Sequence, residues 1–199
     1  MKLLNVGCGG QRPQEEIWWN LDNLREHLKE GTPERKNLDA EPRYIECDLT
    51  FDIPIGPGMF DGMLVSHVLE HFDCMQAVDV LKRLSLCMTP AGVLCASVPD
   101  VDYFERVHDQ DTRSNAERLF GESISGGWEN EKFQTFFDYA LFHHEHKQVL
   151  NLNGLWALLR KAGFHHGLIC NDPRNMVADK LTEKLNRQKF SAILYAYKS

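Results

Sequence analysis

The feature that most constrains the fold is a glycine turn that follows the first apolar segment of the chain. Residues 2–6 (Lys-Leu-Leu-Asn-Val) form a short β-prone run, and residues 7–10 (Gly-Cys-Gly-Gly) follow it directly. A buried strand of a parallel sheet enters a tight turn in this way. Glycine is needed where a backbone lies against a ligand, because a β-carbon would block the approach. We therefore expect a first strand whose loop lies at the ligand-binding edge of an α/β sheet.

Strands and helices alternate along the rest of the chain. Apolar runs bounded by turn residues predict six further strands, at residues 17–21, 43–47, 62–66, 92–98, 164–170 and 190–197. Helix signals predict a short helix within residues 24–38, a helix at 74–88 opened by a capping box at Asp73 and Gln76, a helix capped by Asn153, and a helix opened by Asp172-Pro173. The connection between the first two strands contains Pro13 and is too short for a crossover helix. This alternation predicts one doubly wound sheet in a single domain of residues 1–199.

Composition excludes several classes of function. No apolar run approaches the roughly 20 residues that cross a bilayer, and the first residues lack a signal-peptide pattern. The formal net charge is −7, which disfavours a nucleic-acid backbone as the main partner. The six cysteines are spread singly without a C-x-x-C pair, as expected for reduced thiols in a cytoplasm. We expect a cytoplasmic protein with a small-molecule partner, without nucleic-acid or membrane partners, and of undetermined oligomeric state.

An aromatic, mixed segment at about residues 101–148 is predicted to be an insertion that covers the carboxyl edge of the sheet and binds substrate. His143, His144 and His146, next to Glu145, have a spacing that allows convergence on one metal ion. A histidine cluster beside a substrate pocket is the commoner arrangement, so we predict no metal site. His143 and His146 are instead candidates for contact with substrate.

Three motifs together resemble one enzyme family. Residues 3–10 resemble the first motif of class I S-adenosylmethionine-dependent methyltransferases, and residues 60–72 (Phe-Asp-Gly-Met-Leu-Val-Ser-His-Val-Leu-Glu-His-Phe) look like the fourth motif of their small-molecule members. Residues 86–94 resemble the turn that leads into their fifth strand. Two parts of the tail, residues 146–149 and 155–164, are similar to a bacterial subgroup of predicted methyltransferases often associated with glycan or secondary metabolism. The resemblance implies a Rossmann-like, mostly parallel seven-stranded sheet with its last strand antiparallel.

The resemblance also assigns roles to individual residues, with S-adenosyl-L-methionine as the cofactor. Asp22, after strand two, would accept hydrogen bonds from both ribose hydroxyls, and Asp48 would accept one from the adenine amino group. His67 and His71 are the candidate catalytic bases, because histidine titrates near neutral pH. The residues expected to bind the cofactor are Asn5, Gly7, Cys8, Gly9, Gly10, Leu21, Asp22, Asp48, Leu49, Ser66 and His67.

Two alternative functions remain open, one from departures from the family pattern and one from the shared fold. Asn5 replaces an acidic residue of the first motif and Ala91 replaces a glycine, and both changes bear on cofactor affinity. They are compatible with a methyltransferase-like domain that binds the cofactor without turnover. A nucleotide-dependent oxidoreductase shares this fold, but its G-x-G-x-x-G loop requires a glycine where this chain has Arg12. The expected reaction is therefore methyl transfer to a small-molecule or glycan-type acceptor by in-line displacement.

Overall fold

Seven strands form one sheet in the order β3-β2-β1-β4-β5-β7-β6. The computed structural model describes residues 1–9, 11–103, 146–166, 174–185 and 191–198. The strands are β1 Leu3–Val6, β2 Trp18–Asp22, β3 Tyr44–Glu46, β4 Phe60–Ser66, β5 Met88–Pro99, β6 Phe164–His166 and β7 Ser191–Lys198. Strands β1 to β5 pair in parallel, and β7 lies antiparallel between β5 and β6. The predicted α/β fold class, a mostly parallel seven-stranded sheet with an antiparallel last strand, is confirmed.

Residues 101–103 are helical, and five further helices and one 3₁₀ turn accompany the sheet in the described ranges. They are α1 Leu24–His27, α2 Pro33–Asp39, the 3₁₀ turn Leu69–His71, α3 Cys74–Cys87, α4 Leu152–Lys161 and α5 Arg174–Thr182. The capping box predicted for α3 is present, since Asp73 accepts from the Gln76 backbone and the Gln76 side chain bonds back. Within the described residues, none of these helices has both the length and the hydropathy that a bilayer crossing requires.

Three local predictions need correction. Residues 24–38 form two helices, because Pro33 starts α2 behind the N-cap Thr32 and does not simply break a single helix. Helix α4 is capped by Asn151, whose side chain accepts from the Gly154 backbone at 2.9 Å, so the prediction of Asn153 as the cap was wrong. Strand β5 starts at Met88, four residues before the predicted start. The predicted substrate-binding insertion lies almost wholly outside the described residues and stays a prediction.

A buried layer covers each face of the sheet. Leu4 and Val65 pack on one face with α3 and α4, whereas Leu3 and Leu64 pack on the other face with α5. Alternate residues of β1 and β4 thus enter opposite layers, as expected for central parallel strands covered on both sides. This packing keeps the central strands fixed, and their carboxyl ends all emerge at one edge of the sheet.

Side chains hold the connection between β1 and β2, because its described residues, 7–9 and 11–17, form no crossover helix. The Arg12 guanidinium pairs with the Glu41 carboxylate, with 2.9 Å between Nε and Oε2. The Asn20 amide donates to the other oxygen of Glu41 at 2.8 Å and to the Pro13 carbonyl at 3.1 Å. This polar network anchors the short link beneath the loop that follows β1. The sequence had predicted that this link is too short for a crossover helix.

Candidate functional site

The loop after β1 has a backbone that depends on glycine. Gly7 and Gly9 have φ angles of 63° and 51°, in the left-handed region that residues with a β-carbon rarely adopt. A β-carbon on Gly7 would lie only 2.4 Å from Cγ2 of Val68, whereas one on Gly9 would meet no atom of the described residues within 4 Å. Gly7 therefore permits close packing under the loop. At Gly9 the described residues leave space for a ligand to approach the backbone.

The Asp22 carboxylate connects the end of β2 to this loop. Its Oδ2 accepts a hydrogen bond from the Gly9 backbone at 2.7 Å, and its Oδ1 accepts one from the Asn23 backbone at 2.8 Å. The Tyr44 hydroxyl donates to the Asp22 carbonyl at 2.7 Å and accepts from the Leu24 backbone at 3.0 Å. Because an ionised carboxylate has about four acceptor positions, Asp22 keeps capacity for ligand hydroxyls.

Asn5 and Cys8 form the inner wall of the loop. The Asn5 amide donates to the Gln11 carbonyl at 2.7 Å, a bond that the acidic residue of the family motif could not donate. Burial, with a smaller contribution from the Asp22 charge, raises the pKa of the Cys8 thiol far above its ordinary value. Cys8 is therefore a neutral, apolar wall residue. The departure at Asn5 has a structural role in holding the loop.

The loop after β3 brings a second aspartate to the same edge. Asp48 Oδ1 accepts from both the backbone and the hydroxyl of Thr50, each at 2.8 Å, which closes a tight turn. Arg83 of α3 donates to the Leu49 carbonyl at 2.7 Å and also to the Phe51 carbonyl. These bonds fix the orientation of Asp48 and of the buried Leu49 relative to the sheet.

His67, directly after β4, has a left-handed backbone with a φ of 55°. Its backbone amide donates to the Ser97 carbonyl at 2.9 Å. Its Nε2 lies 2.9 Å from the Ser191 hydroxyl of β7, and its Nδ1 lies 3.2 Å from Oε1 of Glu70. Ser66, which precedes it, accepts a hydrogen bond from the Ser97 hydroxyl at 2.9 Å. Both ring nitrogens of His67 therefore face protein groups.

Glu70, His71 and His146 form a second cluster beyond the end of β4. The backbone amide of Lys147 donates to the Glu70 carbonyl at 2.8 Å, which brings the segment after the insertion against the 3₁₀ turn. The rings of His71 and His146 meet edge to face with centroids 4.9 Å apart. His71, predicted as a base, and His146, predicted to contact substrate, are thus neighbours.

The structure thus distributes the sequence-predicted residues over two adjoining groups. Asn5, Gly7, Cys8, Gly9, Leu21, Asp22, Asp48, Leu49, Ser66 and His67 lie at the carboxyl ends of β1 to β4 or in the loops that follow. Gly10 and His143 lie outside the described residues. Sequence reasoning missed Tyr44, Val68 and Glu70. Glu70 lies inside the Leu-Glu-His motif, but the pattern gave no sign of its burial.

Comparison with known proteins places the chain by its fold. No family model matches the sequence, and no curated protein matches it. Among solved structures, a SAM-dependent methyltransferase from Aquifex aeolicus is similar, with a TM-score of 0.56, 13% identity, and coverage of 100% of this chain and 82% of that one. An S-adenosylmethionine-dependent methyltransferase from Mesorhizobium loti gives a TM-score of 0.52 at 15% identity, covering 99% of this chain and 90% of that one.

A third similar structure contains a cofactor product. It is the 1,6-didemethyltoxoflavin-N1-methyltransferase of Burkholderia thailandensis with bound S-adenosylhomocysteine, at a TM-score of 0.52 and 15% identity, covering 99% of this chain and 70% of that one. Identities this low establish shared architecture only. The chain has the class I fold of S-adenosylmethionine-dependent methyltransferases.

Proposed function

We propose that this chain is an S-adenosylmethionine-dependent methyltransferase that acts on a small-molecule or glycan-type acceptor. The observation that carries the proposal is the 2.7 Å hydrogen bond from the Gly9 backbone to Asp22, which joins the glycine loop to a carboxylate on the adjacent strand. Asp48 follows the next strand at the same edge. Ligands of open parallel sheets bind at this edge, and the similar structures are methyltransferases.

The residues at this edge suit the parts of the cofactor. The amino-acid portion would lie beside Gly9, where a β-carbon would meet no atom of the described residues within 4 Å. Asp22 would accept from the ribose hydroxyls, and the Asp48–Leu49 turn would hold the adenine. S-adenosylmethionine supplies a methyl group already activated on a sulfonium. The chain's contribution is to orient the acceptor in line with that group and to exclude water.

An acceptor hydroxyl has to lose a proton, and the two candidate histidines differ in surroundings. Both ring nitrogens of His67 lie near protein atoms, Glu70 at 3.2 Å and Ser191 at 2.9 Å, so its ring serves to position the end of β4. His71 is half-buried on the 3₁₀ turn, and its ring contacts that of His146, which belongs to the predicted substrate insertion. His71 is therefore the better candidate to assist deprotonation.

A reducing compartment is part of the proposal. The five cysteines in the described ranges are free, and four of them are buried. Thiols in this state fit a cytoplasmic protein.

Calorimetric titration with S-adenosylhomocysteine tests the cofactor site. Wild-type protein should bind with micromolar affinity, and Asp22→Ala should weaken binding at least tenfold, about 1.4 kcal/mol. Asp79→Ala, an exposed residue of α3, is the matched control and should bind like wild type. Tight binding of NAD(H) instead would identify an oxidoreductase, and no binding of either ligand would remove the proposal.

A screen of acceptors then tests catalysis. S-adenosylhomocysteine should be produced with hydroxyl- or amine-bearing small molecules or glycans and be lost in Asp22→Ala. Cofactor binding without product on a broad panel would favour the non-catalytic alternative.

A further inference from the structure

Glu70 is a buried carboxylate whose oxygens receive no hydrogen bond within the part of the chain that the structure describes. The residue is 1% exposed, and neither carboxylate oxygen has a hydrogen-bond partner among the described residues. His67 Nδ1 is close to Oε1 at 3.2 Å, but the contact lacks hydrogen-bond geometry, and His146 Nε2 is farther away at 4.0 Å. A buried charge is costly unless it is paired and hydrogen-bonded or coordinates a metal. Glu70 therefore presents acceptor atoms that suit a cation.

Two imidazoles lie beside this carboxylate. One ligand atom from each of Glu70, His71 and His146 falls within 4.8 Å of the other two. A tetrahedral ion at about 2.1 Å from its ligands would hold them roughly 3.4 Å apart, so side-chain shifts of about 1 Å would close the cluster.

The backbone fixes the two segments that supply these groups. The Lys147 and Gln148 amides donate to the Glu70 carbonyl at 2.8 and 3.3 Å, and the Gln148 side chain donates to the Leu69 carbonyl at 2.9 Å. His146 is consequently held against the 3₁₀ turn by its chain neighbours. Ligand sets on rigid, mutually bonded segments are preorganised for binding.

We propose that Glu70, His71 and His146 form a binding site for a divalent transition-metal ion of the zinc class. Two histidines and one glutamate are the protein ligands of catalytic zinc sites that keep a position open for water or substrate. The sequence predicted no metal here, because it grouped His146 with its chain neighbours His143 and His144 and left Glu70 out.

The use of the metal rests on the proposed function, although the binding site itself does not. An acceptor hydroxyl or thiol in the open position would have its pKa lowered by the ion, and its proton would leave to solvent before methyl transfer. His71 would then act as a ligand, and no separate base would be required.

Titration of chelator-treated protein with Zn²⁺ alone, without cofactor or acceptor, tests the site. Wild-type protein should bind one ion with micromolar or tighter affinity, and its Tm should rise with Zn²⁺. Glu70→Gln, His71→Ala and His146→Ala should each weaken binding at least tenfold and lose the Tm shift. His165→Ala, exposed on β6 and away from the cluster, should behave like wild type.

Two results would overturn the proposal. The first is that wild-type protein does not bind Zn²⁺. The second is that Zn²⁺ binding survives each of the three ligand substitutions, because the ion would then be bound elsewhere, for example by thiols. Circular dichroism checks that each variant is folded. If a histidine variant does not fold, the near-isosteric Glu70→Gln still shows whether Zn²⁺ binding is weakened. S-adenosylhomocysteine binding to the same Glu70→Gln preparation reports on the proposed methyltransferase function independently.

Discussion

Gly7 and Gly9 share a left-handed backbone but have different surroundings, so alanine should affect them unequally. At both positions alanine incurs the left-handed backbone cost of about 1–2 kcal/mol. At Gly7 the new β-carbon also collides with Val68, which adds about 1–3 kcal/mol of overpacking. Urea unfolding should show Gly7→Ala as clearly the less stable variant. Equal losses in the two variants would mean that Val68 moves aside freely.

The cysteines should differ in reactivity because they differ in burial. Burial raises the pKa of Cys47 to about 11 and that of Cys95 to about 12. At pH 8 a thiol of pKa 11 is ionised in only about one molecule in a thousand, and the thiolate is the nucleophile. Cys74 is exposed. Brief iodoacetamide treatment of the native protein followed by peptide mapping should find Cys74 alkylated and Cys47 and Cys95 protected.

Protection should decline as the pH approaches the pKa values of the buried thiols, if the protein remains folded. Rapid labelling of Cys95 at pH 8 in folded protein would contradict the burial of β5. A Cys74→Ser variant is the control, since it should lose the alkylated Cys74 peptide while Cys47 and Cys95 stay protected.

Among individual residues, those at strand ends were the most predictable part of the site. The positions of Asp22 and Asp48 at one edge of the sheet could be predicted because parallel strands end at one edge and sequence patterns locate strand ends, whereas their roles toward a cofactor stay predictions. The contact between Glu70 and His146 could not be predicted from the sequence. The two residues are 76 positions apart and meet only through folding of the intervening chain. Nothing local distinguishes Glu70 from a solvated helix residue.

At the level of elements, the β1–β2 connection depends on the Arg12–Glu41 pair. The Glu41 side chain is 8% exposed and that of Arg12 is 23% exposed. Among the described residues, Arg12→Ala would leave the Glu41 carboxylate with a hydrogen bond from the Asn20 amide alone. An under-satisfied buried carboxylate costs about 1–3 kcal/mol. Chemical denaturation should show a loss of that size.

The exposed pair of Lys82 and Asp79 on α3 provides the matched control. Their charged atoms are 3.8 Å apart and well solvated, so Lys82→Ala should change the free energy of unfolding by less than about 0.5 kcal/mol. A similar loss of unfolding free energy in Arg12→Ala and Lys82→Ala would show that Arg12 acts as an ordinary surface charge.

Elements with strong local signals were predicted well, and those with ambiguous signals were not. Helix α3 has both a capping box and an apolar face, and its predicted bounds match within one residue. Pro33 can end one helix or start another, and only its N-cap Thr32 decides between them. Asn151 rather than Asn153 caps α4, and its amide also donates to Asp102, a tertiary contact that sequence periodicity does not contain.

For the whole molecule, cofactor binding should be linked to stability. A ligand that binds only the folded chain at 100 times its Kd stabilises by about 2.7 kcal/mol. For a chain of this size that corresponds to a rise in Tm of roughly 5–11 °C. Scanning calorimetry with S-adenosylhomocysteine should show this rise in wild type, and Asp22→Ala at the same ligand concentration should show a markedly smaller one. Identical shifts in both proteins would place the ligand away from Asp22.

The position of β7 has a consequence for biosynthesis. Its pairing with β5 runs from Val93 with Tyr197 to Pro99 with Ser191, so 92 positions separate the nearest paired residues. At 5–20 residues per second, a ribosome needs about 5–18 s to make that stretch. During this time the apolar, uncharged segment 93–98 is an open edge that can template pairing with other nascent chains. Chaperone shielding in that interval should therefore decide how much of the newly made protein escapes aggregation.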